Sequence, residues 1–432
     1  MTMSEPTPRH AAISRRRLLA AAGGLALAAP LAACGSNTGR GGGGPGGGTV
    51  LRQWYHQYGE PGTQSAVKRY AAAYRQAEVT VEWRPGDYDR QTAAALLTAD
   101  GPDVFEANGP TLDQIRGGQV ADLTAEIAAA RDDFNPAVLA PKIYGGRVWG
   151  IPQTIDTQLL YYRKSLLAKA GVAPPATLDA LVTAARALTG KDVKGLFLGN
   201  DGGAGVLGSG GIPLIAAGLD LLTADGRAAF ADPAGADALA RLRTLWTDKS
   251  LLLGAPADWS DPSAFVQGLT AMQWTGLWAL PQIAKALGDD FGVLPFPAAG
   301  AHGKPAVPVG AYAAAVNARS KHRDAAKRYV KWLWVDRTDF QEDFALSYGF
   351  HIPARLSLAR KAAKLRTGPA ADAVRYATGN GHAAPLLWTP GAQTAVQDAF
   401  SRIIKDGADP RAQLASAASR VTAEVRRARG EG

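Results

Sequence analysis

From Thr49 onward, short apolar runs suited to strands alternate with stretches whose apolar residues recur every three or four positions. That alternation limits the possible folds more than any other feature of the chain. Val79, Val81 and Trp83 alternate with polar neighbours, as in a half-buried strand. Residues 102–105 and 195–198 read as short buried strands. Val67, Tyr70 and Tyr74 fall on one helical face. Leu178, Leu181, Val182, Ala185 and Leu188 form a helical stripe with Thr177 placed to cap it. Ala326, Tyr329, Val330 and Leu333 form another, with Ser320 as its cap. Strands alternating with helices imply α/β layers with mainly parallel sheets, and the last third is mainly helical. The 432 residues suffice for two or three domains, and a 47% hydrophobic, 20% charged composition can fill real cores.

Ahead of this region stands a leader. Ser14, Arg15, Arg16, Arg17, Leu18 and Leu19 read as a twin-arginine export motif, and small and apolar residues follow over 18–33. That run carries Gly23, Gly24 and Pro30 and falls short of the roughly 20 residues that span a bilayer, so it reads as a signal peptide (1–33). Leu31, Ala32, Ala33, Cys34 and Gly35 resemble a lipobox, in which the cysteine is acylated and becomes the mature N-terminus. Cys34 is the only cysteine, so no internal disulfide is possible and lipid attachment is its expected role. Residues 34–48 are glycine-rich, a flexible tether spanning roughly 20 Å. The chain is expected outside the cytoplasm, lipid-anchored to the outer face of the cell membrane or periplasmic.

The formal charge is +9, of which the leader's Arg9, Arg15, Arg16, Arg17 and Glu5 supply +3. No nucleic-acid module accompanies the basic balance, which reads as a solvated surface, and no nucleic-acid partner is expected. The six histidines, His10, His56, His302, His322, His351 and His382, show no metal spacing. Gly203, Gly205 and Gly208 match a dinucleotide-binding pattern, but so do Gly39, Gly41 and Gly44 in the tether, and with 50 glycines the match carries little weight. Gly203–Gly208 reads instead as a permissive loop facing a cleft. No cofactor and no metal are expected.

Three ordered segments resemble the family 1 extracellular solute-binding proteins, the group that contains maltodextrin-binding proteins. The first runs from Gly146 through Arg147, Val148, Trp149, Gly150, Ile151 and Pro152 to Tyr161, Tyr162, Arg163 and Lys164, then to Pro174, Pro175, Thr177 and Leu181. The second runs from Phe265 through Gly268 and Met272 to Gly276 and Trp278. The third is Tyr348, Gly349, Phe350, His351, Ile352, Pro353, Ala354 and Arg355. The resemblance implies an α/β, two-lobed periplasmic-binding-protein type II fold with a hinge. Lobe one would take 49–154 and 305–349, and lobe two 155–304 and 350–432. Crossings would lie near 154–157, 295–304 and 350–354. It also implies a monomer, not an enzyme, that binds a carbohydrate, chiefly an oligosaccharide, between its lobes and hands it to the permease subunits of an ABC importer.

Sugar sites pair flat rings, which cover C–H faces, with planar polar groups, which take the hydroxyls. The segment Trp54, Tyr55, His56, Gln57, Tyr58, Gly59, Glu60 follows the first strand. There His56, Gln57 and Tyr58 are ligand candidates, whereas Trp54 serves equally as core. Glu106 and Asn108 follow the strand ending at Phe105 and are candidates by resemblance, a plain turn being the alternative. Asp156 sits at the first crossing, as a ligand for hydroxyls or a hinge cap. Trp274, Gly276 and Trp278 form the aromatic segment of lobe two, and their i, i+4 tryptophans also suit one helical face in a core. By resemblance Trp278 stacks on sugar, as does Trp388 before a C-terminal helix. Tyr312, Trp259 and Arg355 complete the candidates, Arg355 binding hydroxyls or capping a helix. A rival reading is a glycosidase using Glu106 and Asp156 as a carboxylate pair. Another keeps the fold but carries a polyol or phosphorylated polyol, which would call for a cluster of Arg or Lys at the cleft.

Overall fold

The computed structural model describes residues 48–98, 100–348 and 350–431. The leader, Cys34, the tether up to Gly47 and Gly349 lie outside the described residues. The chain runs β1 (Val50–His56), α1 (Thr63–Ala73), β2 (Glu78–Arg84), α2 (Tyr88–Ala95), β3 (Val104–Ala107), α3 (Leu112–Arg116), β4 (Ile151–Pro152), β5 (Thr154–Arg163) and α4 (Leu178–Leu188). It continues through β6 (Lys194–Phe197), α5 (Pro233–Thr247), β7 (Thr270–Gly276), β8 (Phe291–Leu294), β9 (Val307–Gly310), β10 (Ala313–Val316) and α6 (Arg323–Lys331). The last of these elements are α7 (Thr338–Ser347), β11 (Ile352–Pro353), β12 (Gly381–His382), α8 (Pro390–Ser401) and α9 (Pro410–Arg429). Among the described residues no helix is long and apolar enough to cross a membrane.

Two sheets organise these elements. A five-stranded sheet has the order β2-β1-β3-β10-β4, and a seven-stranded sheet gathers β12, β9, β5, β7 and β6, with β8 and β11 also on β5. β5 is the spine of the second sheet. Its first residues pair with β11 (Ile155 with Ile352) and β9 (Asp156 with Gly310), and its last pair with β8 and β7. The sheets are mixed, not mainly parallel as expected. β1 runs parallel to β2 and β3, but β10 is antiparallel to β3 and β4, and β5 is antiparallel to each of its partners. The reason is topological. A chain that crosses between lobes and returns must lay strands down in both directions, whereas simple βαβ repetition would keep them parallel.

The crossings also move. The chain leaves the first sheet at β4 and enters the second at β5, with only Gln153 between. It returns between β9 and β10, so residues 307–310, expected in lobe one, belong to the second sheet. That sheet is completed by short strands that pattern reading cannot assign.

Each lobe has its own core. In the first, Ala66, Val67 and Tyr70 of α1 and Ala326, Tyr329 and Val330 of α6 pack with Leu51, Tyr55, Val104 and Val316 of the sheet. Gln53, buried in β1, is satisfied there: its amide donates to the Tyr55 hydroxyl at 2.9 Å and accepts from Tyr329 at 2.8 Å. In the second, the expected stripe of α4 packs with Leu239 and Leu242 of α5, Val396 of α8 and Val421 of α9. Thr177 caps α4 by accepting from the Ala180 amide at 3.1 Å. Ser320 does not cap α6. His322 holds that position, and the Ser320 hydroxyl donates to Asp103 and accepts from the His322 amide.

Gly203, Gly205 and Gly208 form no open loop. Gly203, at φ 90°, begins the short helix Ala204–Ser209, and the Asp201 carboxylate accepts from the Gly203 and Gly205 amides at 2.9 and 2.6 Å. The donors a phosphate would need are thus taken by the chain itself. Outside the crossings, the lobes also touch at a rim: the Arg116 guanidinium at the end of α3 donates to the Ala428 carbonyl in the last turn of α9 at 2.7 Å. Arg427 and Asp113 approach to 3.6 Å beside it.

Candidate ligand-binding site

β1 and β3 lie side by side and parallel, with Trp54 opposite Phe105, so His56 and Glu106 emerge together at the same edge of the sheet. Glu106 is 1% exposed, and a carboxylate so buried requires donors. Its Oε2 accepts from the His56 backbone amide at 3.1 Å and lies 2.7 Å from His56 Nδ1, while Oε1 accepts from the Tyr58 hydroxyl at 2.6 Å. The Tyr88 hydroxyl accepts from the Glu106 amide at 3.0 Å and donates to the carbonyls of Trp54 and Glu106. Burial alone would lower the His56 pKa, but the charge and hydrogen bond of Glu106, with Asp156 and Glu60 farther off, raise it above its ordinary value. Burial and the Glu106 charge likewise push the Tyr58 hydroxyl up, so it remains a neutral donor.

The His56 ring stacks on Tyr312, with centroids 4.1 Å apart and planes 18° from parallel, and it tilts against Tyr58 at 3.9 Å. These rings wall a pocket of about 480 Å³ lined also by Gln57, Tyr88 and Asp89. Among the described residues no lysine or arginine lines it. His56, Gln57, Tyr58, Glu106 and Tyr312 are thereby gathered in one place.

Asp156 joins them through the hinge. Its Oδ1 lies 2.5 Å from His351 Nδ1, and His351 Nε2 lies 3.1 Å from Glu60 Oε1. This row connects the loop after β1, the chain just ahead of β11, and β5. Burial disfavours charge on His351, but Asp156 and Glu60 outweigh it and raise its pKa to about 10. Asn108 is exposed, and its carbonyl accepts from the ammonium of Lys142, whose pKa burial lowers to about 8.

The remaining candidates are placed differently from expectation. Trp274 and Gly276 lie on a strand, not a helix. Trp274 is 1% exposed, donates to Gln158 Oε1 at 3.0 Å and meets Phe296 edge-on. Trp388 is 3% exposed, donates to the Ser209 carbonyl at 2.7 Å and stands edge-on to Phe230. Both rings belong to the lobe-two core and offer no open face, which is the core alternative for Trp274 and revises the stacking expected of Trp388. Arg355 is also committed elsewhere. It donates to Asp133 at 2.7 Å and to the Val335 carbonyl at 3.0 Å, over the ring of Phe134. Trp54 is core, beneath the guanidinium of Arg84. By contrast Trp278 and Trp259 are half-buried and meet edge-to-face at 5.9 Å, with Trp278 donating to the Ser260 carbonyl. Gly276 serves Trp278, because a Cβ there would come within 2.0 Å of its ring.

Tyr88, Asp89, Glu60 and His351 were not among the expected residues. Tyr88 and Asp89 open α2 just past the short loop that ends β2, so they carry the same strand-end signal as the segments after β1 and β3.

Two lobes on separate sheets, joined by crossings with a ring-walled polar pocket beside them, define the hinged binding proteins of solute transport. The chain belongs to that class by sequence as well: residues 58–334 match the bacterial extracellular solute-binding protein family, and the chain is a member of it. It is 26% identical over 338 residues to a probable ABC transporter-binding protein of Deinococcus radiodurans, covering 73% of this chain and 77% of that one. It is 25% identical over 310 residues to the diacetylchitobiose-binding protein DasA of Streptomyces coelicolor, covering 69% and 70%. The crystal structure of an ABC transporter solute-binding protein from Thermotoga lettingae, bound with α-D-tagatose, superposes with a TM-score of 0.74 at 21% identity. That match covers 87% of this chain and 100% of that one, and at such identity it establishes the fold alone.

Proposed function

We propose that the protein captures a carbohydrate between its lobes, chiefly an oligosaccharide, and delivers it to the permease of an ABC importer while tethered to the membrane through acylated Cys34. One observation carries the reading: the stacked His56 and Tyr312 rings flank a pocket whose polar groups, Gln57, Tyr58, Asp87 and Asp89, are planar or hydroxylic. Such a wall covers the C–H face of a sugar ring while the polar groups take its hydroxyls. The cargoes named for DasA and for the Thermotoga protein are both carbohydrates. A phosphorylated polyol is disfavoured, since among the described residues the pocket lining holds no lysine or arginine. Hydrolysis is disfavoured too, because both Glu106 oxygens are engaged by neighbours that hold them in place. The lobes would close about Gln153, residues 310–313 and residues 350–352.

A thermal-shift panel of mono-, di- and trisaccharides tests the reading. A ligand present at one hundred times its Kd raises native stability by about 2.7 kcal/mol, enough to identify the cargo. A panel in which no sugar shifts the melt, while a sugar phosphate does, would replace the carbohydrate reading with the phosphorylated one.

A further inference from the structure

We infer that His351 is a positioning residue for ligand capture: gripped between Glu60 and Asp156, it fixes one oxygen of Asp156 and leaves the other for a ligand hydroxyl. The inference rests on the carbohydrate reading above. Three pieces of geometry carry it. His351 is 4% exposed, so its ring can serve only its immediate neighbours. Its two nitrogens face two different carboxylates, at 2.5 and 3.1 Å, which fixes both the plane and the position of the ring. Its backbone is anchored in turn, the His351 amide donating to the Ala345 carbonyl at 3.0 Å and Ile352 pairing with Ile155 of β5.

Asp156 is the ligand-facing end of this row. It keeps a quarter of its side chain exposed, and among the described residues no donor approaches its Oδ2. It also lies near enough to His56 and Tyr312 to act on both by its charge. The charged groups around His351 are thus Asp156 on β5 and Glu60 on the loop after β1, with His56 and Glu106 behind them. A carboxylate on a crossing strand would otherwise rotate freely toward solvent. Held through Oδ1 by a ring that is itself held, it loses that freedom before ligand arrives, and preorganised acceptors bind more tightly for the same contact.

A double-mutant cycle tests this, with maltose, mannobiose and N,N′-diacetylchitobiose as probes and the tightest binder to the wild type carried forward in calorimetry. His351→Gln and Asp156→Asn should each weaken binding about 10- to 100-fold. The double variant should bind no worse than Asp156→Asn alone, because His351 acts through Asp156. Binding by His351→Gln at wild-type affinity, or full addition of the two losses, would overturn the inference. If a buried carboxylate left without its imidazole prevents His351→Gln from folding, Glu60→Gln gives a milder cut of the same row, with a smaller loss that again vanishes in the Asp156→Asn background. A ligand-free measurement separates this claim from the carbohydrate reading. In wild-type protein the His351 ring should stay doubly protonated by NMR through pH 8 and lose that proton at lower pH in Asp156→Asn. Titration of wild-type His351 near pH 6.5 would show that the grip does not exist. If none of the three sugars binds while the NMR signature is present, the carbohydrate reading fails and the grip stands.

Discussion

Replacing Glu106 by glutamine keeps the shape of the side chain and removes its charge, which isolates what that charge does. The carboxylate accepts from the His56 amide, the His56 ring and the Tyr58 hydroxyl, all between 2.6 and 3.1 Å. A glutamine oxygen can still serve His56, but its NH2 group then meets the Tyr58 oxygen, and the Tyr58 hydroxyl must turn away from the acceptor it has in the wild type. One charge-assisted hydrogen bond is lost and another is weakened, at a cost of about 1–3 kcal/mol. The cost should depend on pH. His56 has a raised pKa in the folded protein, so its charge stabilises the fold below its ordinary value of 6.5, and that contribution disappears as pH rises through the folded value. Glu106→Gln abolishes most of this term. Urea denaturation at pH 6 should therefore show the full gap between wild type and variant, and the gap should narrow steadily above pH 6.5. Groups that titrate alike in both proteins cancel in the difference. Equal stability at pH 6, or a gap that ignores pH, would refute the view that Glu106 organises this corner of the pocket.

Trp388→Ala, which empties a core position, should cost about 3–5 kcal/mol of stability while the folded fraction binds sugar normally. Trp278→Ala should leave the melt within about 1 kcal/mol and weaken sugar binding instead, and calorimetry on both variants reads the contrast. Gly276→Ala should imitate Trp278→Ala, because the added methyl displaces that ring. Cys34→Ala should release the protein from membranes on fractionation, and a variant that stays with the membrane, its leader uncleaved, would end the lipid-anchor proposal.

The pattern of the chain disclosed what depends on near neighbours. The stripe of α4, its Thr177 cap and the strand at 194–197 follow from residues a few positions apart, and so does the placing of Glu106 where a strand ends. What depends on distant partners stayed hidden. An indole looks the same in the sequence whether Phe230 and Ser209 cover it, as they do Trp388, or whether it stays half open, as Trp278 does. Arg355 reads equally for two roles in the sequence, and only Asp133, 222 positions away, decides between them. His351 was visible only as part of a motif, since the carboxylates that give it a purpose lie 195 and 291 positions away. The direction of the second sheet likewise depends on partners far apart in the chain, as where Tyr162 of β5 meets Met272 of β7.

The rim where Arg116 meets the last turn of α9 bears on time more than on affinity. The guanidinium occupies one of the carbonyls that a helix end leaves without an internal partner, so parting the lobes there uncaps α9 at the same moment. On the proposed function, cargo held between the lobes departs only after that parting, and the event is local, with the apolar side of α9, Leu414, Ala417 and Val421, still seated in the lobe-two core. Its cost falls on the escape step, because solute arriving at an already parted rim has no such bond to break. The accompanying pair, Arg427 with Asp113, is exposed to solvent and yields to salt. On the proposed function, the dwell time of cargo should therefore shorten with ionic strength while the rate of capture barely changes, so that the end of one helix contributes to how long cargo is kept.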